Sequence, residues 1–205
     1  MFLVSKRLIG KTVIAGALMA ALGTGTALAQ SYPNKTITLV APYAVGGDSD
    51  FSGRNLSVVA SKLIGQSVIV TNIVGASGTI GSQRVRTAAP DGYTLLVSRG
   101  GSQAITPALD SSTPYKWNDF TFISLLDFNP VVCVVKPDAP YKTMKDLTDA
   151  IRANPGKLNY ASAGPGTTQH LAVEVILSQL GMPSTAAMMI PYKGGGEATT
   201  ALLGG

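Results

Sequence analysis

Two glycine- and hydroxyl-rich loops carry the residues best suited to holding an anion. Tyr43, Gly46, Gly47, Asp48, Ser49 and Asp50 follow an apolar run that begins at Ile37; Gly164, Gly166, Thr167, Thr168 and His170 follow one that begins at Leu158. An amphipathic helical pattern comes after each loop. A loop that opens a helix offers unpaired backbone N–H groups at the positive end of the helix dipole, and both favour negative charge. Two such mouths, more than a hundred residues apart, suggest two lobes gripping one small acid.

Other chemistries find less support. His170 is the only histidine, so a hydrolase would have to pair it with a serine such as Ser162 or Ser49. No G-x-S-x-G elbow accompanies it. Neither the Walker spacing nor G-x-G-x-x-G follows Ala29; Gly75, Gly78 and Gly81 give G-x-x-G-x-x-G instead, which disfavours nucleotide phosphate. Scattered acids and one histidine have no metal-ligand spacing, so neither a metal nor a cofactor is expected. Asp48 and Asp50 in a helix's first turn answer the dipole themselves; capping is their first role, with Asp50 alternatively receiving an ammonium or hydroxyl group. Arg99, just past a predicted strand, could clamp a carboxylate through two parallel hydrogen bonds or remain a solvated loop residue.

The elements that must position these groups alternate. Ile37 to Ala41 reads as a strand, and Asp48 or Ser49 can cap a helix that Gly65 stops. Val68 to Thr71 is the next strand; a glycine loop at Gly75 to Gly78 leads into a short helix, and Tyr93 to Ser98 is a third strand. Alternation of this kind implies parallel pairing, which gathers the loops leaving the strands on one edge, where ligands bind. Two apolar runs, Phe122 to Leu126 and Val131 to Val135, mark the crossing between lobes. Beyond it Thr143 and Asp146 form a capping-box pattern, Leu158 to Ser162 is a strand, a helix runs to a stop at Gly181, Ala187 to Ile190 is a strand, and Tyr192 to Gly196 opens a last helix.

Residues 1–29 have the grammar of a secretory signal: Lys6, Arg7 and Lys11, an apolar run from Thr12 to Leu22, and the small-residue site Ala27, Leu28, Ala29. Export to the periplasm with cleavage after Ala29 is expected. The formal charge of +5 shrinks once that segment is removed, because three of the sixteen Lys and Arg residues precede Gln30 and none of the eleven acids does. No basic block remains, so nucleic acid is not an expected partner. The single cysteine, Cys133, sits in an apolar run and reads as a buried, inert thiol.

Four phrases carry a resemblance: AAPDGYTLL (Ala88 to Leu96), PGKLNYASAG (Pro155 to Gly164), GTTQHLA (Gly166 to Ala172) and PYKGGGEA (Pro191 to Ala198). The chain resembles the substrate-binding proteins of tripartite tricarboxylate transporters, the Bug receptors, in order along essentially its whole length after Ala29. The resemblance implies an α/β, periplasmic-binding-protein-like fold (type II, Venus flytrap) with largely parallel sheets, a first lobe over 30–128 and a partial second lobe over 129–205. It implies a monomeric receptor that closes on a small organic acid and delivers it to membrane permease subunits; a periplasmic sensing partner of a signalling system is the alternative, and a secreted hydrolase ranks below both. By position, the first wall comprises Tyr43, Gly46, Gly47, Asp48, Ser49 and Asp50, and the second Gly164, Gly166, Thr167, Thr168 and His170. Gly75, Ala76, Ser77, Ser98 and Arg99 match further cleft loops, as do Tyr192 and Gly194. The chain departs from the family at Ala44, Val45, Ile73 and Val74, and Asp48 and Arg99 replace residues that are commonly small and neutral. Family members are longer, so the resemblance also implies C-terminal truncation that leaves apolar faces uncovered.

Overall fold

The computed structural model describes residues 31–204; the signal expected over 1–29 lies outside the described residues. Everything below falls in one compact unit, Lys35–Gly205, and the lobe boundary expected at 128/129 lies inside it.

The first sheet is built from β1 (Ile37–Ala41), β2 (Val68–Asn72) and β3 (Thr94–Leu96). Its order is β2-β1-β3 and both pairings are parallel, with Ile37 opposite Val68 and Thr38 opposite Thr94. β1 is central, which explains why Leu39 and Val40, on opposite faces, are both buried. Ile37, Leu39, Val68 and Val97 form the core of this lobe, with Leu56 and Ala60 packed on it from α1 (Asp48–Ile64); each such side chain contributes about 2 kcal/mol on burial. Gly65 ends α1 in the left-handed conformation, as its position predicts. The start differs by one residue: Gly47, not Asp48 or Ser49, is the N-cap, and no side chain caps it. α2 (Thr79–Arg86) packs so tightly that a methyl group at Gly81 would lie 2.5 Å from the Ile73 carbonyl oxygen. The third strand is shorter than the predicted Tyr93 to Ser98, although the Tyr93 carbonyl and the Val97 amide still bond to β1 at its two ends.

A π-helical turn at Gly101–Ile105 and α3 (Thr106–Leu109) follow. The second sheet pairs β4 (Leu158–Ser162) with β5 (Ala187–Pro191) in parallel. α4 (Met144–Ala153) begins with the predicted reciprocal cap: Asp146 N–H donates to Thr143 Oγ1 at 3.1 Å and Thr143 N–H to Asp146 Oδ2 at 2.9 Å. Ile151 of α4 and Leu177 of α5 (Thr168–Gln179) meet Ala186 and Ala187 in a second core. α6 (Gly195–Gly204) closes the described chain.

The apolar runs between the lobes form no strand. Residues 121–136 make no ladder, and Cys133 is exposed, contrary to its expected burial. An apolar run is buried as a strand only when a sheet takes it in, and β3, the sheet's edge on that side, pairs only with β1. Phe122, Ile123, Leu125 and Leu126 instead stand exposed across a groove of about 470 Å³ from Leu96 to Gly100.

Candidate functional site

The first wall is the loop from β1 into α1. Asp50, 3% exposed, reaches back to accept the Gly46 N–H at 3.0 Å and is gripped by Arg54 through Nε at 3.0 Å and Nη2 at 2.8 Å. Burial pushes the Asp50 pKa up, but hydrogen bonds from Arg54, Gly46 and Asn72 outweigh it and hold the carboxyl below its ordinary value. Asp50 therefore shapes the loop. Asn72 Nδ2 donates to the Tyr43 carbonyl at 3.0 Å, anchoring the same loop to the end of β2. Ser49 is fully buried, and its hydroxyl has no hydrogen-bond partner among the described residues.

Tyr43 joins this wall to the next loop by donating its hydroxyl to the Ser77 carbonyl at 2.8 Å. Burial pushes the phenol up to about 12, against a smaller opposing influence of Ser102. Gly75, Ala76 and Ser77 all have positive φ, a strained backbone for the last two.

The second wall runs from β4 into α5. Thr167 is the N-cap of α5: its Oγ1 donates to the Gly164 carbonyl at 2.7 Å and accepts from His170 N–H at 3.4 Å. Ser162 Oγ lies 2.9 Å from that hydroxyl and accepts the Gly164 N–H. His170 Nδ1 accepts the Gly166 N–H at 3.2 Å, leaving Nε2 3.6 Å from Glu174 Oε1. Ser162 and His170 thus spend their polar atoms on the loop backbone and on neighbouring Thr167 and Glu174. Thr168 is exposed at the mouth.

The two walls meet. Ala44 N–H donates to the Lys193 carbonyl at 3.0 Å, and Tyr192 N–H, from the same loop, to the Ser162 carbonyl at 2.8 Å. A methyl at Gly194 would lie 2.9 Å from Ala44 N, at Gly101 3.1 Å from Thr167 Cα, and at Gly164 2.6 Å from Ser77 Oγ. Glycine at these places lets backbone meet backbone across the two lobes.

Arg99 lies beside the first wall rather than open to it. Its Nη1 is 2.5 Å from Asp127 Oδ1, its Nη2 donates to the Asp48 carbonyl and to Ser52 Oγ at 2.7 Å each, and its Nε is 3.3 Å from Asp48 Oδ2. Asn129 Nδ2 bridges the two carboxylates at 3.0 Å from Asp48 Oδ1 and 3.3 Å from Asp127 Oδ1. The Arg99 guanidinium, and in lesser part Ser52, hold the Asp127 carboxyl below its ordinary value against the burial that raises it. Ser98 is half-buried on the wall of the groove beside β3.

A family profile described as the tripartite tricarboxylate transporter family receptor matches residues 53–205. The chain belongs to this family. A UPF0065 protein from the gbd 5′ region of Cupriavidus necator is 39% identical over 198 residues, which is 92% of this chain and 58% of that protein. Among solved structures, MatC from Rhodopseudomonas palustris with bound malate is 31% identical with a TM-score of 0.78, and R. palustris Rpa4515 with adipate is 27% identical with a TM-score of 0.72; each match covers 85% of this chain and 58% of that one. The periplasmic binding protein BugD is 32% identical with a TM-score of 0.70, over 84% of this chain and 57% of that one. The receptor fold is thus shared over a chain that spans a little more than half the length of these relatives.

The first wall, Gly75 to Ser77, the second wall and Tyr192 to Gly194 lie together through the contacts given above. Asp127, Asn129 and Ser52 were not legible as neighbours of Arg99. Their only sequence signal is the polar Asp127, Asn129 interruption between two apolar runs.

Proposed function

We propose that the protein is a periplasmic solute-binding receptor, not an enzyme, that captures a small organic carboxylate between its two lobes for a tripartite-type transporter. The observation that carries this is that the loop opening α1 is bonded to the loop between β5 and α6, which is bonded in turn to the end of β4 from which the loop opening α5 departs. The first-turn N–H groups of α1 and α5 supply neutral donors to a carboxylate. Malate in MatC and adipate in Rpa4515 support a dicarboxylate-sized ligand.

Binding works through closure. Contacts made by both lobes exist only when the loops are together, so the ligand stabilises that arrangement by its differential affinity for it. A thermal-shift panel of acetate, malate, adipate and citrate on the chain tests the proposal. A ligand at a hundred times its dissociation constant adds about 2.7 kcal/mol to stability. A selective upward shift is expected; a cooperative melt moved by none of them would reject the carboxylate.

A further inference from the structure

We infer that Asp127 is a specificity-determining residue: with Asp48 it occupies the Arg99 guanidinium, so the cleft has no uncommitted arginine and discriminates against carboxylates of higher charge. The inference rests on the receptor reading above and names the charge class of its ligand.

Arg99 is the cation placed to clamp a carboxylate beside the first wall, since its Nη2 bonds the carbonyl of Asp48, the first residue of α1. A guanidinium has one face suited to a bidentate carboxylate. Asp127 has taken it, through Nη1 at 2.5 Å and Nη2 at 3.3 Å, while Nε is buried, with Asp48 Oδ2 3.3 Å away as an ion pair and no hydrogen bond. The Arg99 side chain is 19% exposed, so a ligand could recruit it only by displacing a carboxylate already in place. Arg54, the arginine of α1, is likewise committed to Asp50.

Charge balance points the same way. The charged side chains on the converging loops and the first two turns of the helices they open, together with Asp127, are Asp48, Asp50, Asp127, Glu174 and Glu197 against Arg54, Arg84, Arg99 and Lys193. Acids outnumber bases, so attraction for an anion comes from backbone N–H groups and hydroxyls. Such donors satisfy one carboxylate well, whereas each further ligand charge meets net repulsion.

The test compares acetate, malate and citrate, carrying one, two and three carboxyl groups, by calorimetric titration of the chain and its Asp127→Asn and Asp127→Glu variants. Removing one fixed charge across a solvated gap alters affinity by roughly three-fold per ligand charge. Asp127→Asn is therefore expected to move the citrate-to-acetate affinity ratio toward citrate by about ten-fold, with Asp127→Glu keeping the original order. If Asp127→Asn shifts all three ligands alike, or citrate already binds the unaltered chain best, the inference fails while the receptor reading stands. If the unaltered chain binds none of the three, the inference fails, and if adipate does not bind either, the receptor reading fails with it. Far-ultraviolet melts of each variant identify a misfolded protein, and in that case Asn129→Ala, which loosens the same two carboxylates, must shift the ratio in the same direction or the inference is overturned.

Discussion

The amide of Ala44 donates to the carbonyl of Lys193 at 3.0 Å, so the loop after β1 and the loop after β5 are bonded backbone to backbone. Side chains large enough to hold them apart would abolish that contact. Gly196 shows how little room there is: a methyl there would lie 2.7 Å from the Val45 carbonyl oxygen and 3.1 Å from the Gly46 carbonyl carbon.

Gly196→Ala is accordingly expected to separate the lobes without weakening either sheet, because alanine suits a helix better than glycine. Overpacking of this kind costs about 1–3 kcal/mol, which lowers malate affinity roughly ten-fold or more. Calorimetry and an unliganded melt run together check it. Unchanged affinity would show that loop contact is not needed for capture.

Asp50 ties α1 to its own loop. Asp50→Ala leaves the Gly46 N–H without its acceptor and is expected to cost about 1–2 kcal/mol, less than a fully buried pair because the Arg54 partner is half exposed. Its folded pKa lies below its ordinary value of 3.8. The stabilisation is therefore present above that value and lost as pH falls below it. Denaturant midpoints between pH 6 and pH 3 (~neutral to acid, bracketing the ordinary carboxylate range) should fall for the parent, with the gap to Asp50→Ala narrowing at the acid end; a constant gap would contradict the role.

The strand and helix plan was readable because each element announced itself locally. Gly65 stops α1, Thr143 and Asp146 box the start of α4, and the apolar runs at Ile37 and Leu158 are strands, the first of them buried by its neighbours. What could not be read depended on partners distant in sequence. Nothing near Arg99 indicates that Asp127 and Asp48 will fill its guanidinium, and nothing near Tyr43 indicates Ser77 as its acceptor. The apolar run around Cys133 reads as buried because composition reports what a segment can do when packed; whether a sheet edge receives it is decided by topology.

Cys133 offers an inexpensive check on that topology. As an exposed thiol it should react with a disulfide reagent in the native protein at a rate within about ten-fold of that in denaturant, since access, not chemistry, separates the two states. Protection by orders of magnitude would place residues 131–135 in a buried strand.

Tyr43 links the first wall to the strained turn at Ala76 and Ser77. Tyr43→Phe removes the donor to the Ser77 carbonyl and is expected to cost about 1 kcal/mol, with weaker ligand binding because the turn is no longer held. The buried phenol, raised from 10.0 to about 12, contributes stability that is whole below pH 10.0 and is lost as pH rises toward 12. Ultraviolet titration should show a tyrosine ionisation near pH 12 in the parent that is missing from Tyr43→Phe.

Thr168 separates ligand contact from folding. It is the first residue of α5, exposed at the mouth, and its methyl would lie 3.9 Å from a Cβ placed on Gly100 of the facing loop. A tryptophan there can point into solvent without disturbing the second core of Ile151 and Leu177, so the melting temperature should move little, as for surface changes within about 0.5 kcal/mol. In the closed arrangement the same indole occupies the space between the α5 terminus and the Gly100 loop. Thr168→Trp is therefore expected to weaken malate by at least roughly ten-fold, or about 1.4 kcal/mol, and to leave the unliganded melt intact. If affinity holds while the melt is also unchanged, α5 does not form a wall of the site, and the ligand must be held by the first lobe alone.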